Sequence, residues 1–181
     1  MNRPIILAVL LLACVTVTGV MAQNLKLPND KSASTITYSM KHPLHQWDGV
    51  SREVNSILLT DPQKTKFLQV AVKARLARFD SKNANRDSHM IEVAEGLKFP
   101  DVTFSSNDIT VTGEQFAARG NLTFHGVTKP VSISGTIAKK KDRLTFTGSF
   151  KVKMTDHGIE PPSLLGLVTE DEFVLRFEVV Y

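Results

Sequence analysis

Cysteine is nearly absent from this chain: among 181 residues it occurs once, at Cys14, inside an apolar run near the N-terminus. The rest of the sequence therefore excludes a disulfide framework, a thiolate metal site and a cysteine nucleophile together. Without such staples, stability has to come from a buried apolar core. Catalytic signatures are lacking as well. There is no G-x-S-x-G elbow, no glycine-rich phosphate loop and no H-E-x-x-H, so the frames for a nucleophilic serine, a nucleotide and a zinc hydrolase are missing. Past Ala22 no run approaches the ~18 apolar residues of a membrane-crossing helix. Nor is there an internal repeat, a low-complexity tract or a linker-like change in composition. A chain of this length suits one domain with one sizeable core.

What is present begins at the N-terminus. Arg3 precedes an almost unbroken apolar run from Ile5 to Val20, and Val20-Met21-Ala22 puts a small residue at a cleavage position. The pattern predicts a secretory signal peptide over residues 1–22 and a single mature domain over residues 23–181, periplasmic or otherwise exported. Leu11-Leu12-Ala13-Cys14 also resembles a lipobox, which would anchor the protein through a lipid on Cys14. The residues after Cys14 stay largely apolar to Ala22, where a lipoprotein carries a polar tether, so cleavage after Ala22 is the favoured reading. The net charge of +4 falls by one when Arg3 is removed. Much of the excess sits in Lys139-Lys140-Lys141 and Arg143, which reads as a solvated hairpin tip and not as a nucleic-acid surface.

Period-two alternation dominates the rest, after a short polar leader from Asn24 to Lys31. Ile36, Tyr38 and Met40 share one face. Leu68, Val70, Val72, Ala74 and Leu76 share the next, followed by Phe116, Ala118, Gly120, Leu122 and Phe124. Val131, Ile133, Gly135 and Ile137 form another face. The pattern is clearest in Leu144, Phe146, Gly148, Phe150, Val152 and Met154, and Phe173, Leu175, Phe177, Val179 and Tyr181 close the chain. Weaker strands fit Val50 to Leu59 and Val102 to Thr112. One segment changes period: Met90, Val93, Ala94 and Leu97 form the stripe of a short amphipathic helix, with Asp87 or Ser88 as its cap and Gly96 near its end. Thr155 to Glu170 is long for a hairpin loop and reads as a lid or rim.

About eight antiparallel strands, each with one apolar face, make an all-β domain, either a filled sandwich or a barrel. The strands are near ten residues long, and Gly120, Gly135 and Gly148 fall on the apolar faces of three consecutive strands. Glycine there removes side-chain volume and lets strands coil, which favours an extended antiparallel β-barrel with one short helix between strands. The residues expected to face a ligand in its lumen are Tyr38, Val70, Val72, Phe104, Leu122, Phe124, Ile133, Phe146, Phe150, Phe173, Leu175 and Phe177. The loop from Phe79 to Met90 supplies Arg86 and His89, which either donate to a polar head group or serve turn and cap geometry. His42 and His45 are three apart, but Pro43 between them breaks any helix that would converge their rings, and a zinc site needs more ligands. An exposed Trp47 beside Leu44 would suit a protein-binding module. Asn121-Leu122-Thr123 matches a glycosylation sequon inside a strand and carries no weight.

Four blocks in order make the sequence resemble a known family. They are Asn85-Arg86-Asp87-Ser88-His89-Met90; Phe99-Pro100-Asp101-Val102-Thr103-Phe104-Ser105-Ser106; Gly120-Asn121-Leu122-Thr123-Phe124-His125-Gly126-Val127-Thr128-Lys129-Pro130-Val131; and Asp156-His157-Gly158-Ile159. Across about residues 33 to 181 the chain resembles the YceI-like family of periplasmic proteins. The resemblance implies a lipocalin-like barrel that binds a polyisoprenoid, an isoprenoid quinone or a fatty-acid-like lipid in its lumen and performs no chemistry on it. It implies no cofactor and no metal; the partner is a long-chain lipid or isoprenoid, with a homodimer left open. The alternatives are an enzyme acting on a lipid or quinone, which needs an ionisable group in the cavity, and a stress-response structural module with a filled core.

Overall fold

A computed structural model describes residues 23–181. The predicted signal peptide and Cys14 lie outside the described residues. The chain folds into strands β1 (Leu25–Pro28), β2 (Thr35–His42), β3 (His45–Ser51), β4 (Val54–Thr60), β5 (Phe67–Arg75), β6 (Asp101–Thr112), β7 (Gln115–Phe124), β8 (Val127–Lys140), β9 (Arg143–Lys153), β10 (Ser163–Leu164), β11 (Leu167–Val168) and β12 (Glu172–Val180). One α-helix, α1 (Ala84–Val93), lies between β5 and β6, and short 3-10 turns cover Leu76–Arg78 and Thr155–His157. Ten strands form one antiparallel sheet in the order β1-β4-β5-β6-β7-β8-β9-β12-β2-β3, while β10 and β11 pair by themselves.

The sheet curls into a lipocalin-like barrel with its apolar faces inside. Where it meets itself, no continuous ladder runs; local bonds close the seam. The segment after β1 joins both sides at one end, with Asn29 N–H donating to Ser56 O at 3.0 Å and Asp30 N–H to Val180 O at 2.7 Å. Near α1, Val50 and Asp80 exchange two backbone bonds of 3.0 Å each. The alternation places the core as expected: Leu122, Phe124, Ile133, Phe146, Val152 and Phe173 are all buried.

The eight expected strands become ten for two local reasons. The stretch from Val50 to Leu59 breaks at Arg52-Glu53, giving the end of β3 and most of β4. The supposed leader pairs with β4 as β1, Leu27 opposite Leu58. A bulge between Leu59 and Thr60 shifts the register so that Phe67 pairs with Thr60 and Gln69 with Leu59. Phe67 therefore takes the inward place assigned to Leu68, and it packs edge-on against Phe146 at 5.1 Å. A second bulge between Ser105 and Asp108 lets Phe104 and Ile109 both face inward at an odd spacing.

The helix also starts earlier than its apolar stripe suggests. Asn83 is its N-cap, accepting from Arg86 N–H, so neither Asp87 nor Ser88 plays that part. Met90, Val93 and Ala94 pack inward, but Leu97 lies beyond the last turn and is 97% exposed. The glycines do not leave empty space. Gly135 and Gly148 stand opposite each other, flanked in the same row by Phe116 and Phe177. A Cβ on Gly135 would come within 2.1 Å of Thr147 O, and both phenyl rings lean over the glycines to 6.3 Å of each other. The lysine cluster does form the β8–β9 tip, with Arg143 paired to Asp30 at 2.6 Å.

Candidate functional site

Because alternate residues of every long strand point inward, the barrel encloses a lumen of about 230 Å³. It is elongated. Phe146 and Val152 of β9 both line it, and six strand steps are roughly 20 Å, or about 15 Å along the axis at the usual barrel tilt. One end is closed by the packed rings of Phe67, Phe116, Phe146 and Tyr181. Toward the other end the lining reaches Met40, Trp47, Arg86, His89, Met90 and Pro162, which are exposed or half-buried and bound the mouth.

All fourteen side chains expected from the sequence line this lumen: Tyr38, Val70, Val72, Phe104, Leu122, Phe124, Ile133, Phe146, Phe150, Phe173, Leu175, Phe177, Arg86 and His89. Others in the lining were not singled out. Leu58 sits on the strand that the break at Arg52-Glu53 re-phased. Trp47 lies opposite Met40 in the β2–β3 hairpin, so the register alone puts both on one face. It is half-buried at the mouth, not an exposed protein-binding residue. His45 stacks on it at 5.1 Å, and the Arg86 guanidinium lies 5.2 Å from its ring centre.

The polar groups of the mouth are largely committed to holding it. Arg86 donates from Nε to Ser81 Oγ at 2.9 Å and from Nη2 to Ser81 O at 2.8 Å. The Asp87 carboxylate accepts from Ser81 N–H at 3.1 Å. Three of the five guanidinium N–H donors stay free of protein bonds among the described residues. His89 stands 3.6 Å from Glu92 on the same helix. On the far side of the same end, His125 bonds the His157 carbonyl through Nδ1 and the Glu95 carboxylate through Nε2. The buried His157 bonds Val127 O, so the β7–β8 turn, the 3-10 turn and the end of α1 are tied together. His125 and His157 are, with His89, the histidines of the family-like blocks, and the bonds of these two are to backbone carbonyls and one carboxylate.

Inside, the lining holds no carboxylate. Its ionisable side chains are Tyr38, Arg86, His89 and Tyr181; Arg176 borders it through the strand, but its guanidinium is exposed and pairs with Asp48 at 2.8 Å. The Tyr38 ring covers Gly49, and its hydroxyl is buried without a hydrogen-bond partner. Desolvation raises its pKa above the usual tyrosine value, which nearby Trp47 and Ser81 offset only in part. Burial pushes Tyr181 up to about 12. It donates to Ser56 Oγ, whose own proton goes to Ala71 O at 2.9 Å. His42 and His45 do come together, rings 5.3 Å apart, but across paired strands. Leu44 N–H donates to His42 Nδ1, leaving Nε2 to donate to Leu167 O. No group of three or more His, Cys, Asp or Glu able to hold a metal occurs among the described residues.

Known proteins share this architecture. A family profile described as a YceI-like domain matches residues 28–181. A UPF0312 protein of Azotobacter vinelandii is 32% identical over 151 residues, covering 77% of this chain and 78% of that one. Burkholderia cenocepacia BcnA superposes with a TM-score of 0.75 at 19% identity, over 84% of this chain and 99% of that one. A Saccharophagus degradans domain described as polyisoprenoid-binding and implicated in plant cell wall breakdown superposes at 0.68 with 14% identity, over 85% and 96%. With the profile spanning nearly all the described residues, the chain belongs to the YceI-like family.

Proposed function

We propose that this protein binds a long, apolar molecule, of polyisoprenoid, isoprenoid-quinone or fatty-acid type, inside the barrel and carries or stores it without chemical change. One observation carries the reading: a single elongated lumen, apolar along its length, with polar side chains gathered at one mouth. Burying an alkyl or isoprene chain against such walls gains roughly 25 cal/mol per Å² of apolar surface, enough for tight retention without any covalent step. The Saccharophagus domain of similar fold, described as polyisoprenoid-binding, supports the same class of ligand. Catalysis on a lipid would need an acid–base group placed at the reacting atoms; along its length the lining offers two tyrosines held in their neutral form, and at the mouth an arginine half occupied by Ser81 and an exposed His89 beside Glu92.

We also place the protein outside the cytoplasm, on the apolar run that ends at Val20-Met21-Ala22. Native mass spectrometry of protein purified from its own host, with lipid extraction, tests both statements. A mature chain beginning at Gln23 and carrying one lipid is expected. An empty lumen in every preparation overturns the container, and a diacylglyceryl adduct on Cys14 replaces simple export with anchoring.

A further inference from the structure

Eight large apolar side chains are exposed among the described residues, and six of them lie at the mouth end: Leu44, Leu97, Leu164, Leu165, Leu167 and Val168. They sit on three separate turns. Leu44 is in the β2–β3 turn, Leu97 follows α1, and the other four belong to the β10–β11 hairpin. At the opposite end the β4–β5, β6–β7 and β8–β9 turns carry none, and the one exposed apolar side chain there is Leu25 of the edge strand β1, opposite Thr60 and only 36% exposed. Such clustering is not the scatter of single apolar residues that a soluble surface normally carries.

The hairpin makes the point most sharply. Its two turn residues, Leu165 and Gly166, have φ of 55° and 77°. Both belong to the left-handed region that a two-residue hairpin requires, where Asn, Asp or Gly is the ordinary first residue. A leucine is strained there, and this one is 83% exposed, so neither backbone geometry nor packing accounts for it. The hairpin is nonetheless held firmly. His42 Nε2 bonds Leu167 O at 3.0 Å, Thr169 N–H donates to Pro162 O at 2.9 Å, and Glu170 N–H donates to Lys41 O at 2.9 Å. Its base at Pro162 lines the lumen, as do Met40 and Trp47 beside the β2–β3 turn. The apolar surface thus continues from the outer tips into the cavity. Lys41 and Lys98, exposed at the feet of two tips in ion pairs with Glu170 and Glu95, can reach lipid phosphates while their stems stay in the apolar layer.

We propose that the mouth end docks on a phospholipid bilayer, its leucine tips inserted below the head groups, so that an apolar cargo passes between bilayer and lumen without crossing water. Isolated tips around an opening suit a deformable apolar medium better than the matched pocket of a protein partner. The proposal rests on the lumen being a lipid container. The test is flotation of the purified protein with vesicles of phosphatidylcholine and a minor share of phosphatidylglycerol, with the emission of Trp47, the chain's one tryptophan, as a second signal. Wild type should float, and brominated lipid should quench Trp47. Leu165→Asn should melt at or above wild type, since asparagine accepts the turn geometry, while vesicle partition falls about tenfold, equivalent to about 1.4 kcal/mol. Adding Leu44→Ser should bring a further loss of similar size. Wild type that stays in the aqueous fraction overturns the docking, as does undiminished flotation of Leu165→Asn. So does sedimentation showing that these leucines instead join two copies. Lipid retained in the lumen without flotation retires the docking and spares the container; flotation by a protein always empty of lipid retires the container and the transfer with it.

Discussion

At the scale of single residues, the lumen is a matter of which side of a pleat each side chain takes. Phe150 lines the cavity midway along β9 and pairs with Leu175 across to β12. Replacing Phe150 with Asp puts a carboxylate where no cation or donor answers it. Loss of bound lipid or of the fold itself is expected, read by native mass and by far-ultraviolet circular dichroism. A stable, lipid-loaded Phe150→Asp would mean that the alternate face of β9 is the inner one. Gly135 states the complementary rule. A Cβ there meets Thr147 O at 2.1 Å and the Phe116 ring at 2.9 Å. Gly135→Val should cost about 1–3 kcal/mol through overpacking, lowering the urea midpoint without emptying the mouth of its polar residues. Twelve of the fourteen lining residues were legible because one period, repeated on seven strands, leaves little freedom; Arg86 and His89 were legible only as the polar residues of the segment from Phe79 to Met90. Leu58 and Phe67 were not, since a chain break and a bulge re-phase β4 and β5 through hydrogen bonds that no local pattern records.

At the scale of elements, α1 is the informative case. Its apolar stripe was visible, yet its start was set by Asn83, whose side chain accepts from Arg86 N–H at 3.1 Å. Asn83→Ala should destabilise the protein by about 1 kcal/mol, with amide exchange quickening in α1 before the strands. Because the same turn orders Arg86 over Trp47, its Trp47 emission should broaden as well. Exchange that is unchanged in α1 would show that the Asp87 bond to Ser81 N–H, ahead of the helix, holds its start in place without the Asn83 cap. Leu97 continued the stripe in sequence but not in space. Glu95 adopts a φ of 45°, ending the helix, and turns the chain away before Leu97 can face inward.

At the scale of the whole molecule, the barrel is a curled sheet whose seam depends on a few contacts. Tyr181, the last residue, sits at that seam with its hydroxyl on Ser56 of β4. The fold holds its proton up to about 12, whereas an unfolded chain releases it near 10. Its contribution is therefore complete below pH 10 and is lost as pH rises from 10 toward 12. Tyr38, also raised, acts in the same direction. Urea midpoints should fall across that window, and Tyr181→Phe should make the fall shallower, though slightly less stable at neutral pH for want of the Ser56 bond. An equally steep fall in Tyr181→Phe would assign the alkaline loss to Tyr38 or to the lysines.

The amino-acid sequence by itself determined the all-β class, the inward face of most strands, the helix between β5 and β6, and the apolar character of whatever the chain encloses. These follow from periodicity, which is local and survives any arrangement of the strands. Only the tertiary structure decided that Gly135 and Gly148 hold aromatic rings in place of empty volume, that β1 and β3 are the sheet's edges, and that exposed leucines from three distant turns meet around one opening. Each of these depends on contacts between segments far apart in the chain, and a side chain's neighbours across a barrel are set by register and closure, which no single strand contains.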